Sequence, residues 1–135
     1  AQRRRSLRAD DFFTGMLGTA CAPDELVEAV RFPLASSGWG YGFAEASQRH
    51  GDFALCAVAA VLRPDGCRIA VGGVADRPVA RDFGLLDDAM LDDALNEFAW
   101  ALDASEDAHI SAATRRHLVR RLGVRAVSVA RGVLR

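Results

Sequence analysis

The sequence contains no lysine; all 17 of its basic side chains are arginine. Arginine has GC-rich codons, so this absence reflects nucleotide composition and carries no functional signal by itself. Long apolar runs are also missing. The longest, Phe53 to Leu62, has ten residues, whereas a membrane-spanning helix needs about 20, so no span is expected. Cysteine is scarce. Cys21, Cys56 and Cys67 form an odd set without C-x-x-C spacing, which excludes a dense disulfide scaffold and a paired-ligand zinc site. They read as free, mostly buried thiols of a cytoplasmic protein. Charge of one sign is lacking too. With 18 acids against 17 arginines and half the residues hydrophobic, the chain is neither disordered nor polyelectrolyte-like. There is no G-x-S-x-G elbow, and His50, His109 and His117 fall in no H-x-x-x-H pattern. A self-contained hydrolase site or histidine metal site is therefore not expected.

What remains is a chain of 135 residues, enough for one domain with its own core. Strand-like segments come first and helical ones after about residue 80, which predicts an α+β fold. The expected architecture is a small antiparallel sheet of about three to four strands followed by a C-terminal pair or trio of packed helices. We expect one domain over 1–135, with a lead-in over 1–24, a sheet region over 25–80 and a helical region over 85–131.

Strands are expected at Glu25 to Phe32, stopped by Pro33, at Tyr41 to Ser47, and along Phe53 to Leu62. Arg63-Pro64-Asp65-Gly66 carries turn chemistry, so Cys67 to Val74 should return as a hairpin partner. Its Gly72-Gly73 pair predicts a bulge or a close backbone approach. Leu91, Ala94, Leu95, Phe98, Ala99 and Leu102 make one helical stripe, with Trp100 opposite it. Ser111 is an N-cap candidate for a last helix to about Ala130. Leu118, Leu122 and Val129 are its expected stripe, flanked by Val119 and Ala126. Gly123 within that helix predicts close packing.

Seven arginines lie between Arg115 and Arg135. The preceding stretch from Asp87 to Asp107 carries eight acids and no base, so the two segments are expected to pair with each other and not to bind nucleic acid. Gly38-Trp39-Gly40-Tyr41-Gly42 reads as a loop, because no strand-turn-helix context surrounds it. Arg49-His50-Gly51-Asp52 reads as a capped corner between strands, with a ligand contact as the alternative.

Several stretches together resemble the C-terminal domain of the FAD-binding (medium) subunit of carbon monoxide dehydrogenase and other xanthine-oxidase-type molybdenum hydroxylases. They are Asp10-Asp11-Phe12-Phe13-Thr14-Gly15, Pro23-Asp24-Glu25-Leu26-Val27 up to Phe32-Pro33, Arg49-His50-Gly51-Asp52-Phe53-Ala54, Gly72-Gly73-Val74, and Arg115-Arg116-His117-Leu118 with Arg125-Ala126. The resemblance implies an electron-transfer flavoprotein subunit of an oxidoreductase, in which the protein positions and tunes the flavin. The implied cofactor is FAD in the full-length subunit, without tight binding by this domain alone and without catalysis by it in isolation. The implied partners are an N-terminal FAD-binding domain and the molybdenum and iron–sulfur subunits. The family's apolar flavin neighbour falls on Val27, and its polar contact, often lysine, falls on Ala44. A non-enzymatic docking or dimerisation module derived from this family is the alternative, with Trp100 and the glycine loop as contact surfaces.

Overall fold

The computed structural model describes residues 4–133; Arg3 and Arg135, counted above among the basic residues, lie outside them. A short helix α1 (Ala9–Phe12) leads into a small hairpin, β1 (Phe13–Gly15) and β2 (Gly18–Thr19). The main sheet has four antiparallel strands in sequence order: β3 (Gly40–Ser47), β4 (Ala54–Arg63), β5 (Gly66–Gly72) and β6 (Val79–Phe83). Two long helices follow, α2 (Asp88–Ala101) and α3 (Ala112–Val133). The expected α+β class, the small antiparallel sheet and the C-terminal helix pair are all present.

The hairpin β4–β5 follows from its turn. Arg63 pairs with Gly66 across Pro64 and Asp65. Only glycine fits at position 66, because a Cβ there would sit 2.3 Å from the Phe83 carbonyl oxygen. Register then puts Val58 opposite Val71 and Ala60 opposite Ile69. Alternation turns Cys56, Val58 and Ala60 of β4 to the same face as Cys67, Ile69 and Val71 of β5, and all six are buried. Ala44 of β3, opposite Val58, joins them. Each large side chain fully buried here is worth about 1.5–3 kcal/mol.

The helices cover that face. Asp87 caps α2, accepting from the Met90 N–H at 2.8 Å. Leu91, Leu95, Phe98 and Ala99 are buried, as the periodicity predicts, with Leu102 just beyond. Ser111 caps α3, its hydroxyl accepting from the Thr114 N–H at 3.2 Å. The buried face of α3, however, is Arg115, Val119, Leu122, Gly123, Ala126, Val127 and Ala130. Val129, expected in the stripe, is 45% exposed, and Leu118 is half-buried. Residue size decides the rotation. A Cβ at Gly42 of β3 would lie 1.9 Å from the Ala126 carbonyl oxygen, and one at Gly123 would lie 2.6 Å from the Leu95 Cδ2. The helix turns its small residues, not its most apolar ones, to the close contacts.

Two further departures concern strands. Glu25 to Phe32 forms no strand; residues 25–35 have no regular structure and are exposed, so the sheet begins at Gly40 and not near residue 25. A strand is a property of a pair, and among the described residues none forms a backbone ladder with this segment; Arg4 and Arg5 reach it through side chains alone. Conversely, β6 was not anticipated, because Val79-Ala80-Arg81-Asp82-Phe83 has a weak strand composition; five register pairs with β5 hold it in place.

Candidate functional site

Val27 lies in the irregular segment that precedes β3 and is 54% exposed. Around it, Leu26, Val30, Phe32 and Leu34 are exposed to between 69% and 91%. With Val27 they share one irregular, exposed stretch, 26–34. So many large apolar side chains in one exposed stretch are unusual on a free surface. Ala44 is placed differently. It is 5% exposed, with its methyl group in the core between sheet and helices. The structure does not bring the two residues together at one surface.

The start of this segment is built locally. Ala22-Pro23-Asp24-Glu25 is a turn, closed by the Glu25 N–H donating to the Ala22 carbonyl at 2.9 Å. Pro23 presets the backbone angle such a turn needs. The Glu25 carboxylate accepts from the Ala22 N–H at 2.8 Å. Arg5 donates to both Glu25 oxygens, at 2.8 and 2.5 Å, and to the Ala20 carbonyl at 2.5 Å. This hydrogen bonding holds the Glu25 carboxyl below its ordinary range. Arg4 pairs with Glu28 at 2.6 Å.

The Arg49-His50-Gly51-Asp52 stretch is a corner, as expected. The Asp52 N–H donates to the Arg49 carbonyl at 3.1 Å, and the Ser47 hydroxyl donates to the same carbonyl at 2.9 Å. Gly51 has φ +89°, where glycine is at home. Phe53 beside it is fully exposed. A shallow depression of about 350 Å³ is lined by Gln48, Gly51, Asp52, Phe53 and Leu55. The stretch read as a glycine loop is a turn only at its start; Gly40, Tyr41 and Gly42 are paired strand residues of β3. In the turn, the Trp39 N–H donates to the Ser36 carbonyl at 3.2 Å and the Ser36 N–H to the Tyr41 hydroxyl at 2.9 Å.

Behind the corner sits the buried cation Arg115. It donates to the Leu55 carbonyl at 2.9 Å, to the Gly73 carbonyl, and to Asp107 at 2.5 Å. Gly73 is left-handed (φ +77°), and a Cβ there would meet the Ala54 carbonyl oxygen at 2.6 Å, so the predicted close approach is present. Three other arginines of α3 are engaged as well. Arg131 pairs with Asp88, Arg120 donates to Asn96 at 3.1 Å, and Arg116 stacks over Trp100 at 4.6 Å. The opposed charges of the two segments thus pair in part, and one arginine goes to the exposed tryptophan.

Among the described residues, no three His, Cys, Asp or Glu side chains gather to hold a metal ion. No helix among them is long and apolar enough to cross a membrane. The long helices start after Asp87 and Ser111, not after glycine-rich loops. The described residues therefore include no glycine-lined start of a long helix for a pyrophosphate.

This four-stranded sheet backed by two helices belongs to a chain that is similar to part of the medium subunits of nicotine 6-hydroxylase and carbon monoxide dehydrogenase. No family model matches it. It is 37% identical over 131 residues to the nicotine 6-hydroxylase medium subunit of Paenarthrobacter nicotinovorans, covering 88% of this chain and 46% of that one. It is 33% identical over 76 residues to the carbon monoxide dehydrogenase medium chain of Afipia carboxidovorans, covering 56% and 26%. Among solved structures, quinoline 2-oxidoreductase from Pseudomonas putida 86 matches 97% of this chain and 50% of its own, with a TM-score of 0.81 and 27% identity. A copper- and molybdenum-containing CO dehydrogenase matches 90% and 47%, with a TM-score of 0.78. The chain thus spans half or less of the proteins it matches.

Proposed function

We propose that this chain is one part of the FAD-containing electron-transfer subunit of a molybdenum hydroxylase. It covers the flavin with the apolar segment around Val27 and contacts partner subunits. The observation that carries the reading is the alignment of nearly the whole chain to a nicotine 6-hydroxylase medium subunit, at 37% identity over 131 residues. The matching proteins are about twice as long, and an E. coli relative of the chain is an aldehyde oxidoreductase FAD-binding subunit. The exposed stretch with Leu26, Val30, Phe32 and Leu34 supports a covering role, because a bare apolar stretch gains free energy only when something lies against it. FAD would be held by its phosphates elsewhere in the subunit, and this part would contribute apolar contact to the ring system. An N-terminal FAD-binding domain and the molybdenum and iron–sulfur subunits are the proposed partners. Ala44, buried as it is, would act through packing alone, while Val27 would touch the flavin directly.

The test is a pair of flavin measurements. The chain titrated with FAD alone should show no stoichiometric quenching of flavin fluorescence; tight binding would overturn the covering role. The same chain should replace the matching part of the nicotine 6-hydroxylase medium subunit with retention of a bound flavin spectrum. Val27→Asp in that chimera should lower its flavin content. A folded chimera whose flavin content ignores Val27→Asp would remove this residue from the flavin's surroundings.

A further inference from the structure

The apolar segment has no sheet partner, yet its first turn is closely bonded. One side chain from far along the chain, Arg5, makes three hydrogen bonds to that turn: two to the Glu25 carboxylate and one to the Ala20 carbonyl. Glu25 returns a bond to the Ala22 N–H. The fork of a guanidinium matches a carboxylate in two parallel bonds, which fixes orientation as well as distance. The turn thus has a cation on one side, its own backbone on the other, and a carboxylate between them. Arg4 adds one bond to Glu28, three residues further along. The helix α1 and strand β1 that follow Arg5 meet the main sheet's side through Arg68, which donates to Asp10 at 3.4 Å, and Arg77, which donates to the Phe13 carbonyl at 3.5 Å.

We infer that Arg5 is a positioning residue, and that the Arg5–Glu25 clasp presents the segment from Leu26 to Leu34 as a preformed strap. Without it, an irregular stretch of this kind would have to be ordered at the moment of docking, with a loss of affinity. With it, the Ala20–Glu25 turn is set in advance, and the direction in which the stretch with Leu26, Val30, Phe32 and Leu34 leaves the turn is set with it. That the stretch docks on the flavin-carrying part rests on the proposed function. The clasp itself does not, and it can be tested without a flavin.

The experiment is backbone amide hydrogen exchange on the full chain, comparing the parent with Arg5→Glu, Glu25→Arg, the double exchange of both, and Arg5→Lys. Each single reversal should speed exchange of the Ala22 and Glu25 amides by about fivefold, the size an exposed but well-formed ion pair supports. The double variant rebuilds the ion pair with the partners swapped, so it should restore slow exchange of the residue-25 amide, which donates to the Ala22 carbonyl, but not of the Ala22 amide, which loses the carboxylate it donates to. Arg5→Lys should restore only part, because an ammonium cannot make the fork and reach Ala20 together. The amides of β4 and β5 should not change. If the single variants exchange like the parent, or the double behaves like the singles at the residue-25 amide, the clasp does not position the turn. If exchange rises throughout the sheet as well, the pair supports the fold and not the strap, and the inference fails in that case too.

Discussion

Arg115 Nη2 lies 2.5 Å from the Asp107 carboxylate, with the arginine side chain 7% exposed and the aspartate 46% exposed. The same guanidinium holds the carbonyls of Leu55 and Gly73. One side chain of α3 therefore ties together the start of β4, the end of β5 and the loop between the two long helices. Asp107 completes the arrangement from outside, itself accepting from the His109 and Ile110 amides at 2.8 and 3.1 Å.

Removing that cation should be costly. Arg115→Ala would leave two carbonyls without a donor in a closed seam. We expect a loss of about 2–4 kcal/mol in urea denaturation, from unsatisfied buried acceptors and lost packing. Arg115→Lys should recover a minority of it, because one ammonium cannot serve three acceptors in the geometry of a guanidinium. A loss under about 0.5 kcal/mol for the alanine variant, the range of ordinary surface substitutions, would mean that the seam closes without it.

Acid should loosen the same seam. The Asp107 carboxyl is held below its ordinary value of 3.8, first by the His109 amide and then by Ile110 and Arg115. A carboxyl whose folded pKa is depressed contributes stability above its unfolded pKa and loses it as pH falls through the folded one. Stability should therefore fall below about pH 4, and in Asp107→Asn this part of the acid dependence should flatten. Urea midpoints of both proteins between pH 3 and 6 would measure the difference; parallel curves would contradict it.

The glycines separate two kinds of close contact. At Gly42 the obstacle is backbone, the Ala126 carbonyl at 1.9 Å from a built Cβ; at Gly123 it is the Leu95 side chain, 2.6 Å away. Gly42→Ala must push helix from sheet and should cost about 3 kcal/mol or more, at the upper end for overpacking. Gly123→Ala gains about 1 kcal/mol of helix propensity while Leu95 shifts, so its net cost should be smaller by at least 1 kcal/mol. Thermal or chemical denaturation of the two variants side by side checks the order; equal costs would show that α3 moves as freely as a leucine does.

These contacts mark where the sequence could be read and where it could not. Pro64-Asp65-Gly66 announced its hairpin because turn geometry is local. Ser111 announced a helix start because capping is local too. Leu91, Leu95, Phe98 and Ala99 announced their face because one apolar stripe has one way to turn. The α3 face was misjudged because its rotation is set by Gly42 and Leu95, residues of other elements. Glu25 to Phe32 has the apolar content of a strand but, among the described residues, no backbone ladder partner to make it one. The FAD-subunit relationship was legible only through ordered motifs; the burial of Ala44 was not, since a short strand places the same letters inward or outward according to its partners.

Thiol chemistry offers a last check on the packing. Cys56 is fully buried, and desolvation pushes its thiol up to about 11 from an ordinary 9.0. Cys67 is also raised, again chiefly by burial. Cys21 lies in the N-terminal stretch with partial exposure. The thiolate is the reactive form, so a disulfide reagent near pH 8 should modify one thiol per chain quickly and the other two only on unfolding. A Cys21→Ser variant should lose the fast phase and nothing else. The raised values also set a direction. Thiols that ionise at higher pH when folded contribute stability that is fully present below pH 9 and lost as pH rises through 11. Cys56→Ala should therefore show a shallower alkaline loss of stability than the parent, at some cost at neutral pH. Three fast thiols at pH 8 in the folded chain would show that the seam between sheet and helices is open to solvent.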